Sequence, residues 1–73
     1  MIQETQTYQD KVEWGLPFIH EGFMCRAGKL KGKWFAMAKG RTLSGIQINV
    51  DVEAIYPSDR EALQELFRRI KAI

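Results

Sequence analysis

The segment from Ser44 to Glu53 limits the fold more than any other part of the chain. Ile46, Ile48, Val50 and Val52 alternate there with Gln47, Asn49, Asp51 and Glu53. A period of two, with β-branched residues at every second position, is the pattern of a strand whose two faces meet different surroundings. One face must lie on a core, and the other in water or at an interface.

A second segment has the period of a helix. Ser58 is an N-cap residue, Glu61 three positions later completes a capping box, and Pro57 holds Tyr56 extended just outside. Leu63, Leu66, Phe67, Ile70 and Ile73 fall on one stripe of a helix from Asp59 to about Ala72. Asp59 and Glu61 occupy its first turn, and Arg68, Arg69 and Lys71 its last, which suits the macrodipole. Glu65 and Arg69 are spaced for an i, i+4 ion pair.

Between these landmarks and the N-terminus the pattern predicts two more strands, Phe18 to Ala27 and Lys33 to Lys39, joined by Gly28-Lys29-Leu30-Lys31-Gly32. Gly40 with Arg41 marks the turn into Ser44 to Glu53. A further short strand is predicted from Tyr8 to Trp14, where Tyr8, Asp10, Val12 and Trp14 share parity and Gly15 and Pro17 end the run. Residues 1–7 are expected to fray. Short connections between successive strands imply a meander. The expected fold is therefore α+β: an antiparallel meander sheet of three or four strands, with one C-terminal amphipathic helix packed on one face, in a single domain over residues 1–73.

At 73 residues, folding buries only roughly 60% of the surface of the unfolded chain. A single cysteine, Cys25, forbids an intrachain disulfide, and no Cys/His cluster offers a structural zinc site. The remaining options are a well-packed monomer or association of two copies, and a homodimer is expected. The lone thiol suggests a reducing compartment. Residues 1–10 are polar, and the longest apolar run is Trp34 to Ala38, so the expectation is a cytoplasmic protein with no membrane partner.

Catalytic readings find little support. His20 and Cys25 are the candidates for a nucleophile and its base, but five positions apart in one strand they point to opposite faces. Cys25 shares parity with Phe23 and Ala27 and reads as a small core residue. Gly28, Gly32 and Gly40 have hairpin spacing, and no Gly-Lys-Ser/Thr element opens the helix. Asp51 and Glu53, two apart on one strand face, read as a solvated edge rather than a metal site. The chain is expected to be non-enzymatic, without cofactor or metal.

Charge distribution favours binding. From Gly22 to Val50 there are six basic residues, Arg26, Lys29, Lys31, Lys33, Lys39 and Arg41, and no acid, whereas the flanks are net acidic. Such asymmetry suggests a surface facing a polyanion. In Lys33 to Lys39, Trp34, Ala36 and Ala38 share one parity, and Lys33, Phe35, Met37 and Lys39 the other. If Trp34 packs under the helix, Phe35 and Met37 face outward between two lysines, beside Met24 and Arg26. The other readings put Phe35, Met37 and Met24 under the N-terminal segment or in a sheet-to-sheet dimer interface. Basic side chains around an exposed ring on a sheet make a stacking platform for single-stranded nucleic acid.

The first expectation is thus a small module that binds nucleic acid or a nucleoprotein complex, with Arg26, Lys29, Lys31, Lys33, Lys39 and Arg41 on phosphate and Phe35 as the stacking ring. The alternative is a protein-binding adaptor or inhibitor, of a phage-type or accessory kind, anchored by Trp14, Met24, Phe35 and Met37. The order of a basic hairpin sheet followed by a capped helix is similar to that of small sheet-type DNA-binding modules, such as the arm-binding domain of tyrosine recombinases. This similarity is one of topology from Phe18 to Ile73 and transfers no residue role.

Overall fold

The structure is a computed structural model, and it describes residues 12–73. The fraying expected of residues 1–7, and the part of the Tyr8 to Trp14 strand before Val12, lie outside the described residues. The observed elements are β1 (Val12–Trp14), β2 (Phe18–His20), β3 (Phe23–Leu30), β4 (Lys33–Arg41), β5 (Gln47–Tyr56) and α1 (Asp59–Lys71). They form an antiparallel α+β fold, as the sequence implies, but the sheet has five strands rather than three or four. The order is β1-β3-β4-β5, and β2 also pairs with β3.

The extra strand comes from a hairpin hidden inside the segment read as one strand from Phe18 to Ala27. The chain reverses at Glu21-Gly22, and His20 pairs with Phe23. Both turn residues have positive φ, 54° and 80°. The same geometry recurs at Lys31-Gly32, with 52° and 80°, and Leu30 pairs there with Lys33. Two central residues in the left-handed region define the type I′ turn, whose twist matches that of paired strands. The loop expected over Gly28 to Gly32 therefore shrinks to Lys31-Gly32, and Gly28 lies within β3.

β1 and β2 share one edge of β3. Trp14 is opposite Gly28 and Phe18 opposite Cys25, so the outer chain advances four residues while β3 advances three. That extra residue belongs to the link 15–17 between the two strands, where Gly15 N–H still donates to Ala27 O at 2.8 Å. At the other end of the sheet β4 runs through Gly40 to Arg41, so the expected turn at Gly40-Arg41 is displaced to residues 42–46. Gly45 N–H donates to Thr42 O there, and Thr42 Oγ1 accepts from Ile46 N–H. Ile46 is thereby lifted out of the strand and exposed, unlike Ile48, Val50 and Val52.

α1 starts as its sequence implies. Ser58 Oγ accepts from Glu61 N–H at 3.2 Å. The buried stripe is Ala62, Leu66 and Ile70, with Leu63 and Phe67 half-buried beside it. Ile73, expected on that stripe, lies beyond the helix and is 62% exposed. The helix packs on Cys25, Ala36, Ala38 and Val52. Alanines at the middle of the sheet let the backbones approach closely enough for Leu66 to be wholly buried. Among the described residues no helix is long and apolar enough to cross a membrane.

Candidate functional site

Because side chains alternate along a strand, the helix settles what each face holds. Trp34 joins the core with Tyr56, Val50 and Phe23. The opposite parity is therefore the face that α1 does not cover. It contains Trp14 from β1, Ile19 from β2, Met24, Arg26 and Gly28 from β3, and Lys33, Phe35, Met37 and Lys39 from β4. Cross-strand pairs join them: Met24 with Lys39, Arg26 with Met37, Gly28 with Phe35, and Ile19 with Met24.

Phe35 is held by the absence of a side chain opposite it. An added Cβ at Gly28 would sit 2.4 Å from Phe35 Cζ, so the ring lies directly over the glycine. Trp14 meets Phe35 edge to face, with centroids 5.3 Å apart. The Arg26 guanidinium lies 4.5 Å over the Trp14 ring, and its Nε–H donates to Gly15 O at 3.1 Å. The link between β1 and β2 thus brings a carbonyl to the arginine, and the arginine fixes the indole. Phe35, Met37 and Arg26 are half-buried, whereas Trp14, Met24 and Ile19 are 45%, 56% and 65% exposed. Trp14, and not Phe35, is the open ring of the pair.

The six basic residues of the middle segment do not form one surface. Lys29 lies on the helix-side parity, with its ammonium 5.9 Å from the Trp34 ring. Lys31 is in the hairpin turn. Arg26 gives its Nε–H to Gly15 O and stacks on Trp14, and Arg41 donates to Gly45 O at 3.3 Å. Lys33 and Lys39 stand at opposite ends of β4, roughly 20 Å apart at strand rise. β5 also places Asp51 opposite Met37, Asn49 opposite Lys39 and Gln47 opposite Arg41 on this same face. The stretch without acids in the sequence has an acid beside it in space.

All four alternative anchors, Trp14, Met24, Phe35 and Met37, do come together. Ile19 and Pro17 extend their surface, and sequence reasoning missed both because the turn at Glu21-Gly22 was not recognised. A cleft of about 240 Å³ opens between Pro17, Met24, Arg26, Met37 and Lys39. A smaller one of about 120 Å³ lies on the far side of Met37 and Lys39, next to Asn49 and Asp51.

On the helix side an open groove of about 710 Å³ runs between the β2–β3 turn and the end of α1. His20 stacks on Phe67 there at 4.0 Å, and Phe18 meets the same ring edge-on. These contacts correct the parity argument for His20 and Cys25. With a hairpin between them, Phe18 pairs with Cys25 and His20 with Phe23, so all four side chains share the helix side. Cys25 is fully buried, and burial pushes its thiol up, against a smaller lowering by a backbone hydrogen bond at His20. A thiol in that setting is a packing group rather than a nucleophile.

The strongest electrostatic feature lies elsewhere. Glu65 accepts from Arg68 and Arg69, at 2.6 and 2.7 Å, and these bonds pull its carboxyl down to about 2. Arg69 continues past Glu65 to Glu53 Oε1 at 3.0 Å and to the backbone oxygen of Asp51 at 2.6 Å. The predicted Glu65–Arg69 pair is present, and it also ties α1 to the edge strand β5. Among the described residues no group of three or more His, Cys, Asp or Glu side chains is placed to hold a metal ion. No family model, curated protein or solved structure matches the chain.

Proposed function

We propose that the chain is a binding module that engages another protein through the sheet face left open by α1. The observation that carries this reading is the convergence of Trp14, Met24, Phe35 and Met37, extended by Ile19 and Pro17, on the face that α1 does not cover. Aromatic and methionine side chains at the centre, with charges at the margin, are the composition of a protein interface. Trp14 is pre-positioned by Arg26 and Phe35, so little side-chain entropy remains to be lost on binding.

A nucleic-acid reading retains one favourable observation, the presence of Lys33, Lys39 and Arg41 along β4 beside Phe35 and Trp14. It is the second choice because Arg41 is already engaged, Lys29 is on the other face, and Asp51 opposes phosphate on this one. A homodimer would compete for the same face, since Arg69 covers the middle of the β5 edge.

The test is site-specific photocrosslinking in cells of the natural host. A crosslinker replacing Ile19 should yield a discrete protein adduct, resistant to nuclease and absent when the crosslinker replaces Arg60 on α1. Excess wild-type protein should compete for the adduct, and Met37→Asp should not. A nuclease-sensitive adduct would transfer the face to the second reading, and an adduct at twice the mass of the chain would transfer it to a dimer.

A further inference from the structure

We propose that the cleft between Pro17 and Lys39 receives a carboxylate next to a large apolar side chain, on an acidic segment of the partner protein. This inference rests on the protein-binding reading above and names the chemistry of the segment bound. Its walls divide by character: Pro17, Met24 and Met37 are apolar, and Arg26 and Lys39 are cationic.

Arg26 is built to receive an anion. Its Nε–H bond to Gly15 O is the one hydrogen bond the guanidinium makes among the described residues, and the stack on Trp14 fixes the plane. The two Nη groups are thus oriented before any ligand arrives, and a planar fork held in this way matches a carboxylate. Lys39 adds a second positive charge on the opposite wall. The neighbouring cleft, which shares Met37 and Lys39, has Asp51 and Asn49 as its other wall. Positive potential therefore falls off toward β5, and an acidic segment is favoured over β3 and β4 alone.

Size and softness point to a side chain rather than a free small molecule. At about 240 Å³ the cleft is smaller than the ~300–1,000 Å³ of typical small-molecule sites. Met24 and Met37 adapt to an irregular apolar group, whereas a flat base needs an open ring. A second copy of this chain is a poor source of the segment. Of the two acids of β5 on this face, Asp51 is flanked along the strand by Asn49 and Glu53, and Glu53, two residues from the exposed Ile55, is already paired with Arg69.

The test is selection of a displayed library of random twelve-residue peptides against the wild-type protein. Fluorescence anisotropy of the selected peptides, and of a labelled oligothymidylate, then follows on variants whose circular dichroism matches wild type. The expected result is enrichment of Asp or Glu within two residues of Leu, Ile, Met or Phe, with affinity that falls as salt rises. Lys39→Glu, at an exposed position, should slow association of these peptides. Arg26→Gln should weaken them by about tenfold or more, and Arg26→Lys should recover only part of the loss.

Selected peptides that lack acids, ignore Lys39→Glu and are still lost with Met37→Asp would overturn the carboxylate inference and leave the protein-binding reading standing. Binding of the oligothymidylate with no peptide selected would overturn both. Were Arg26→Gln to unfold the protein, acidic peptides indifferent to Lys39→Glu would still overturn the inference.

Discussion

Each face of the sheet carries one phenylalanine laid across a glycine of the neighbouring strand. On the helix side Phe23 of β3 covers Gly40 of β4, and on the open side Phe35 of β4 covers Gly28 of β3. The outcomes differ. Phe23 joins the cluster closed by Leu66 and Ile70, whereas Phe35 meets Trp14, and behind Trp14 stands Arg26. The first arrangement finishes a core. The second holds an aromatic and cationic surface in place outside the cover of α1, which separates it from stray exposed apolar residues.

The largest difference between the faces should appear on truncation. Leu66 is wholly buried among residues of both layers, so Leu66→Ala is expected to cost roughly 2–5 kcal/mol through the cavity it leaves. Met37→Ala on the open face should cost well under that, because its side chain is half-exposed already. Chemical denaturation of both variants checks the order. Equal losses would mean that the open face is covered in the folded protein and is not a free surface.

The glycines offer a finer comparison. A Cβ on Gly40 would lie 2.5 Å from Phe23 Cδ2 and 2.9 Å from its Cγ, near the root of the ring. A Cβ on Gly28 would instead meet the tip of Phe35, with Cζ at 2.4 Å. A ring struck at its root under a helix cannot move aside without disturbing the core. A ring struck at its tip on an open face can swing outward. Gly40→Ala is expected to cost roughly 1–3 kcal/mol, and Gly28→Ala less, although the latter should shift the emission of Trp14. Thermal melts of the two variants, each with Trp34 replaced by Phe so that Trp14 alone emits, test both statements.

These contrasts also mark what could be read without coordinates. The helix was legible because Ser58, Glu61 and the apolar stripe give one answer at three levels: cap, period and dipole. That Phe35 and Met37 share a face opposite Trp34 follows from parity, which is insensitive to errors at strand ends, whereas which of the two faces lies under the helix is set by tertiary packing. The hairpin at Glu21-Gly22 was not legible, because type I′ turns favour Asn, Asp or Gly at their first central position and this chain uses Glu there and Lys in the next turn. Missing it left Ile19 and Pro17 out of the open face and put His20 and Cys25 on opposite sides. Arg26 reads as a free charge because Gly15 and Pro17 mark only a strand end, and nothing in that signal says that the link beyond it carries Gly15 and Trp14 to the arginine. Asp51 and Glu53 do lie exposed on the edge strand, as their alternation implies, but the pairing that sets Asp51 beside Met37 depends on register and is not legible in the residues.

Loss of the helix cap should weaken one face and spare the other. Ser58→Ala removes the acceptor of Glu61 N–H and is expected to cost about 1 kcal/mol. Loosening of the first turn should raise amide exchange around Ala62 and on the strands beneath it, and leave the Trp14–Arg26 contact unchanged. Hydrogen exchange read by mass spectrometry, together with Trp14 emission, checks this separation. A change at Trp14 equal to that at α1 would show that the open face depends on the helix for its order.

The smallest effect expected is that of acid on the clamp between α1 and β5. Glu65 titrates at about 2 in the folded chain because Arg68 and Arg69 hold its anionic form, against 4.5 for an ordinary glutamate. Glu53 is also lowered, first by its own backbone amide and then by Arg69. A depressed carboxyl binds its proton more weakly folded than unfolded, so between these two values the unfolded chain carries more protons. Stability from this source is present in full above about pH 4.5 and is lost as pH falls toward 2. The pairs are solvent-facing, so the effect should be modest and should shrink with added salt. Melting temperature measured from pH 5 to 2 should decline less steeply for Glu65→Gln than for wild type. Arg69→Met should behave similarly, and it should also free the carbonyl of Asp51 on the β5 edge. An exposed strand edge is a template for pairing with another chain, so sedimentation of Arg69→Met should show association that wild type lacks at the same concentration. A monomeric Arg69→Met with an unchanged acid limb would mean that the clamp neither steadies the helix nor protects the edge. The difference between the closed and open sides of the sheet would then rest on the core contacts of Leu66 and Ile70 alone.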